Sequence, residues 1–370
     1  MALPQAGYAY RLKNKQTGRY LTSSGFMPDS YVTTWGPESG GNGRLSQTWH
    51  LLGLGNEKYI LAQKLGGRVP TLNDYRAPST VPPRGFDMTN PLFRPDSTRL
   101  NLEVPYDGTD GHIINSQTFY VRASGDCVTL ASCNGGSLLA DWGDKLGAIV
   151  GSDVGDLQRW SLEQEASYPR IATGIGPTTN SPVPPPALTG YARPNPDTTS
   201  PTTIGTTLLP SALVKDPALT RQQQAQTSPW YVVERQGFYK VVYYYESSGA
   251  AETTQSQSVT VGLTTANSTE IENTTSISVT AEASYGFKGF GASLSTTYSH
   301  QLRTLVASST TQTSERNTTI SRTFKQGTRA ALAIWYRADR YALKRMDGTV
   351  ILEWETASQD DVAERAYTGS

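Results

Sequence analysis

Three segments of the chain, "SQTWHLLGL", "SQTFYVRA" and "LQRWSLEQ", each set a glutamine two residues ahead of an aromatic: Gln47 and Trp49, Gln117 and Phe119, Gln158 and Trp160. Each is followed by a short alternating run. The openings "YRLKNKQTGRYLT", "YILAQKLGGRVPTL" and "FYVRASGDCVTLA" also recur, each giving a strand, a Gly-containing turn and a second strand. A unit of roughly 40 residues that repeats three times buries its apolar face only against its neighbours. The repeats therefore predict a threefold all-β array from Tyr8 to about Ala166. The second unit is overlong because Tyr75 to Ser97, rich in proline and without periodicity, interrupts it as a loop insertion.

Composition agrees with β structure. Ser, Thr, Gly, Pro and Tyr abound, and helical stretches rich in Ala, Leu, Glu and Lys are nearly absent. The chain of 370 residues has room for two cores. Its 32 basic and 32 acidic residues cancel, so no basic field exists to draw nucleic acid or acidic lipid. No segment reads as a signal peptide or an apolar membrane helix, so a soluble or inclusion-forming product is expected, and any membrane-spanning element must be β. Cys127 and Cys133, in "CVTLASC", could bridge neighbouring strands or remain thiols. The histidines, His50, His112 and His300, are far apart, and no catalytic, metal-binding or cofactor motif occurs, so no enzyme activity, metal or cofactor is expected.

The repeats resemble the ricin-B-type β-trefoil, in which the aromatic of Gln-x-Trp enters a shared core and Gln bonds backbone. That resemblance sets an N-terminal lectin-like domain at 1–166. It also implies stacking platforms for sugar at Trp35, in "VTTW", and Trp142, in "LADW". The lobes' carbohydrate-binding aspartate would fall near Thr22 and Thr129, which departs from ordinary galactose binding. Structural aromatics are the alternative reading of both tryptophans.

From 167 to 207 proline density predicts an extended connector. A second all-β domain, 208–370, then follows: tyrosine-rich strands, a Ser/Thr-rich alternating region from about 253 to 324, two closing strands, and "SQDDVAERAYTGS" as a solvated tail. Within the Thr-rich region, "SISVTAEASYGFKGFGASLSTTYSH" keeps apolar residues on odd positions (Ile277, Val279, Ala281, Ala283, Tyr285, Phe287) and then on even ones (Phe290, Ala292, Leu294, Tyr298). A two-residue turn at Lys288 and Gly289 produces that phase change. It sets Phe287 opposite Phe290 and Val279 opposite Tyr298.

At the start of the second domain, "LLPSALVKDPALTRQQQAQTSPWYVVERQGFYK" carries Asp216-Pro217, Gln226-Thr227, Pro229 and paired aromatics. With "TTYSHQL", this run resembles the Bin-like binary insecticidal toxins (the Tpp class): a β-trefoil, a Pro-rich junction and an elongated aerolysin-like pore-forming domain of antiparallel β-sheet. The resemblance implies a toxin that acts extracellularly on host gut-cell membranes. It would bind a surface glycan or glycoprotein receptor, self-oligomerise, act with a second toxin component, be trimmed by proteases, and insert a β-hairpin. The odd-then-even apolar face would then meet lipid, and Ser278, Thr280, Glu282, Ser284, Ser293 and Ser295 would line the lumen. Two other readings are a carbohydrate-binding lectin with a β-rich oligomerisation domain and a glycan-active enzyme carrying a trefoil module.

Overall fold

The computed structural model describes residues 3–25, 30–72, 100–103, 105, 116–133, 136, 138–141, 146–149, 155–167, 175–275, 277–279, 285–287 and 315–369. Among these, residues up to 173 together with 210–231 make one compact unit, and 174–209 with those from 232 onward make a second.

The first unit contains twelve strands: β1 (Tyr8–Asn14), β2 (Tyr20–Ser23), β3 (Val32–Trp35), β4 (Trp49–Gly55), β5 (Lys58–Gln63), β6 (Val69–Leu72), β7 (Leu100–Glu103), β8 (Thr118–Ser124), β9 (Cys127–Ser132), β10 (Leu138–Asp141), β11 (Leu146–Ile149) and β12 (Arg159–Ser167). Pairing runs β1 to β4, β5, β8, β9, β12 and back to β1, which closes a six-stranded ring. A closed ring leaves no unpaired edge. The hairpins β2–β3, β6–β7 and β10–β11 complete the three lobes. This is a β-trefoil, with the threefold period read from the sequence.

Trp49, Phe119 and Trp160 sit in its core with Leu12, Leu51, Val121 and Leu130. Equivalent hydrogen bonds anchor two of them: Trp49 Nε1 donates to the Leu21 carbonyl (2.9 Å) and Trp160 Nε1 to that of Leu139 (3.2 Å). Gln47 donates to the Gly36 carbonyl (2.7 Å) and accepts from Glu38 N (3.0 Å), while Gln158 accepts from Gly155 N (2.8 Å). Gln117 donates to the Thr71 hydroxyl (3.2 Å). Cys127 and Cys133 are free thiols, and burial raises the pKa of Cys133 to about 11.

The middle of the toxin-like signature, residues 210–231, packs into this first unit. Helix α1 (Gly41–Ser46) belongs to the first lobe, and α2 (Arg221–Thr227) follows the signature's Asp216-Pro217. Thr220 and Gln223 form a capping box at the start of α2. From α2, Gln222 Nε2 donates to the Gly66 carbonyl and Gln226 Nε2 to that of Leu65, each at 2.8 Å. Gly67 adopts φ +64, and a Cβ there would collide with the Gln222 carbonyl. Buried Asp216 accepts from Tyr231 OH (3.0 Å), and Gln224 donates to that same hydroxyl (2.9 Å). Residues 210–231 of the quoted signature thus form a plug seated on the second lobe, and its last residues run on into the strand Trp230–Ser247.

The remaining strands are β13 (Gly176–Pro177), β14 (Thr202–Pro210), β15 (Trp230–Ser247), β16 (Thr253–Val261), β17 (Ile277–Val279), β18 (Tyr285–Phe287), β19 (Arg316–Phe324), β20 (Ala330–Arg345) and β21 (Val350–Tyr367). Five form one sheet in the order β13-β14-β15-β20-β21, with β13–β14 and β20–β21 antiparallel. Neighbouring residues of β20 serve its two faces. Ile334 and Tyr336 pack with Val259, Val261, Ile320 and Phe324 of the β16–β19 ribbon, whereas Ala333 and Trp335 pack with Val241 and Leu188. Arg235 and Asp339, both fully buried, pair at 2.9 Å between β15 and β20.

Four expectations change. Residues 202–207, read as connector, belong to β14, in which Ile204, Thr207, Leu208 and Leu209 are buried on both faces of the strand. The expected tail is strand: β21 pairs with β20 as far as Tyr367 opposite Ala331. Its register slips between Tyr336 and Arg337, where Val362 and Ser358 are successive partners, so a bulge carries "QDD" and breaks the alternation a reader would look for. Residues 265–274, read as alternating strand, form helix α3 (Thr265–Thr274), started by the Thr264 hydroxyl accepting from Asn267 N (3.2 Å). Only Ile271 of this helix is buried, so no apolar stripe betrayed it.

The fourth change concerns the hairpin. Ile277 pairs with Phe287, Ser278 with Gly286 and Val279 with Tyr285, so the reversal falls between Val279 and Tyr285 and residues 277–287 are not one strand. A reversal over an odd number of residues keeps odd positions facing odd positions, which fits the same alternation. Alternation fixes the face and leaves the register open.

Candidate functional site

The first lobe presents Trp35 at 56 % exposure on the short strand β3. Its cross-strand partner is Tyr20, which is buried. The Arg19 guanidinium lies 5.9 Å from the Trp35 ring centroid, within range of a cation–π attraction. Beneath, Arg11 stacks on Tyr20 at 3.8 Å, and the Tyr20 hydroxyl donates to both oxygens of Glu163 (3.1 and 2.9 Å). Burial first, and then the Glu163 carboxylate, push the Tyr20 hydroxyl pKa up, so it stays a donor. The result is an exposed indole on a fixed polar base, a flat apolar surface edged by one cation.

Thr22, at the position where the resembled lobes carry aspartate, is occupied internally. Its hydroxyl donates to the Tyr20 carbonyl (2.7 Å) and accepts from Gln47 Nε2 (3.2 Å). Thr129 is also buried, in the ring strand β9. Asp141 is buried as well and ties the lobes together, accepting from the Thr34 hydroxyl (2.7 Å) and from that of Thr17. Trp142 lies outside the described residues.

The second candidate element lies between β16 and β19. Of the hairpin residues expected to meet lipid, the backbone of Ile277, Val279, Tyr285 and Phe287 is described, and these four face one another in pairs. Ala281, Ala283, Phe290, Ala292, Leu294 and Tyr298 lie outside the described residues. So do Thr280, Glu282, Ser284, Ser293 and Ser295 of the expected lumen face, whereas the Ser278 backbone is placed opposite Gly286.

The flanking ribbon was not singled out by sequence reasoning, and it is the better-defined amphipathic element. All nine residues of β16 pair with β19. One ribbon face is the apolar set that packs on the sheet. The other carries cross-strand polar pairs: Thr254 with Thr323 (2.9 Å), Ser256 with Ser321 (2.9 Å) and Thr260 with Asn317 (2.8 Å). The signal for it was present in "TTQSQSVTV" and "RNTTISRTF", where Thr254, Ser256, Ser258 and Thr260, and Thr319, Ser321 and Thr323, fall on alternate positions.

Residues 202–366 match the family described as Insecticidal Crystal Toxin, P42. The insecticidal crystal protein Cry35Ab1 of Bacillus thuringiensis is 21 % identical over 234 residues, which is 62 % of this chain and 54 % of that protein. The match thus spans about half the length of this relative. The crystal structure of Cry35Ab1 is similar in fold over 98 % of this chain and 91 % of its own, with a TM-score of 0.58 at 16 % identity. The stretch that forms the plug, the open sheet and the ribbon is thus the part of the chain that matches the insecticidal crystal toxin P42 family, and it follows a β-trefoil.

Proposed function

We propose that the chain is a pore-forming insecticidal toxin. The trefoil holds it to a glycan or glycoprotein on the host gut-cell surface through Trp35 and Trp142. The region between β16 and β19 then inserts as a β-hairpin, and several copies close a barrel. The observation that carries the reading is the β16–β19 ribbon, with its hydroxyl-bearing face outward and its apolar face stored on the protein's own sheet. Only a closed barrel satisfies every backbone polar group in lipid. A ribbon that already alternates hydroxyl and hydrocarbon needs no change of sequence pattern to become two of its staves. The family match supports the toxic activity, and a second toxin component is a partner to test.

The experiment uses dye-loaded vesicles made from gut-cell membranes. Cysteines replacing Val259 in β16 and Tyr243 in β15, which share one cluster, tie the ribbon to the sheet when oxidised. Oxidised protein should bind vesicles without releasing dye, and reduction should restore release. Dye release by the oxidised form, with the crosslink verified, sinks the ribbon's role. Vesicle binding without release under every condition, with or without a second component, favours the lectin reading.

A further inference from the structure

Among the described residues only two aromatic side chains are exposed, Tyr31 at 39 % and Trp35 at 56 %. Both stand on one strand. Ser24 N donates to the Tyr31 carbonyl (2.9 Å), which carries the β2–β3 ladder one pair beyond Ser23 and Val32, and Tyr31 N donates to the Ser24 hydroxyl (2.9 Å). Side chains alternate along an extended strand, so Val32 and Thr34 turn inward and are buried while Tyr31, Thr33 and Trp35 share the outer face. At the strand's rise per residue, Tyr31 and Trp35 stand about 13 Å apart along it.

What lies between and beside the two rings is polar. Thr33, half-buried, separates them, exposed Ser24 sits opposite Tyr31, and Arg19 edges Trp35. The rings therefore do not merge into the contiguous apolar patch that marks a protein or lipid contact. A strip one strand wide and about 13 Å long is also far smaller than the roughly 800 Å² each partner gives to a stable protein interface. Sugars match such a strip, because a pyranose ring offers an apolar C–H face to an aromatic and hydroxyls at its rim to the polar groups alongside. One sugar ring cannot lie on both aromatics at once.

We propose that this face binds a linear oligosaccharide, one ring stacked on Trp35, another on Tyr31, and at least one more bridging them over Thr33. The inference rests on the reading of Trp35 as a sugar platform and adds a length requirement to it. Tyr31 makes the surface select chains over single sugars.

The probes are the glycans released from gut-cell vesicles, used either intact or hydrolysed by acid to single sugars, and titrated into the full-length protein by microscale thermophoresis. At equal total sugar the intact pool should half-saturate the protein at a concentration about tenfold lower or better. Tyr31→Ala should weaken binding of the intact pool about three- to tenfold and so narrow the gap between the pools, and Tyr31→Phe, which keeps the ring, should restore it. Near-ultraviolet circular dichroism and the melting temperature establish that each variant is folded. If Tyr31→Ala is not, Tyr31→Leu, which keeps bulk without a flat ring, takes its place. Equal half-saturation by the two pools, or a folded variant without the ring that keeps the full gap, overturns the proposal and leaves Trp35 as a platform. Loss of attachment by Tyr31→Ala to vesicles stripped of glycan also overturns it, since the ring then meets lipid. Trp35→Ala without effect on either pool, or binding of neither pool by wild type, removes the platform and the length requirement together.

Discussion

Two tryptophans of the first lobe differ in what their environments ask of them. Trp49 is wholly enclosed and its N–H is satisfied by Leu21, whereas Trp35 stands on the surface beside Arg19. Trp49→Ala should cost about 3 to 5 kcal/mol of stability in a urea titration. Trp35→Ala should leave the unfolding free energy within about 0.5 kcal/mol of wild type while weakening attachment to glycan-bearing vesicles. His50 carries a different signature, because burial, with Lys64 nearby, lowers its pKa to about 3. The folded state holds it neutral while the unfolded chain binds a proton near pH 6.5. Its contribution is intact above pH 6.5 and is lost as pH falls toward 3, by about 1.4 kcal/mol per unit. Between pH 7 and pH 4.5 wild type should therefore lose about 2 to 3 kcal/mol more than His50→Gln. Equal slopes in the two proteins would show that His50 is not buried neutral.

Elements were legible where a period was long and regular. The three Gln-x-aromatic closures fixed the trefoil because each repeat had to bury the same face. The lobe pattern singled out Trp35, which the structure leaves exposed. The plug and β21 were not legible, for separate reasons. Asp216, Gln224 and Tyr231 meet through hydrogen bonds that follow no period, and the charged bulge at 359–361 hides a strand that continues beyond it. Both readings can be tested. Gly67→Ala should destabilise the first unit by more than about 1 kcal/mol, since the left-handed backbone and the Gln222 carbonyl both oppose a methyl group. Deleting residues 359–370 should strip amide-exchange protection from Ala331 to Tyr336, the partners of Val362 to Tyr367. Unchanged protection would return this segment to the status of a dispensable tail.

For the whole molecule, composition and repeats gave an all-β chain with a threefold N-terminal array, and the family of residues 202–366 was visible in one quoted run. The chain path was not, because proline density reports local stiffness and says nothing of what comes next in space. Residues 210–231 belong with the trefoil although they follow a strand of the open sheet. The chain therefore enters the second unit after residue 173, comes back at 210 and departs again after 231. A protease that cuts once between 178 and 200 would not make two separable domains. The N-terminal piece would hold the ring, the C-terminal piece would hold the helix whose Gln222 and Gln226 grip that ring, and a nicked molecule should elute as intact protein from a sizing column yet run as two bands once denatured. A mended break of this kind would leave the molecule cut but undivided.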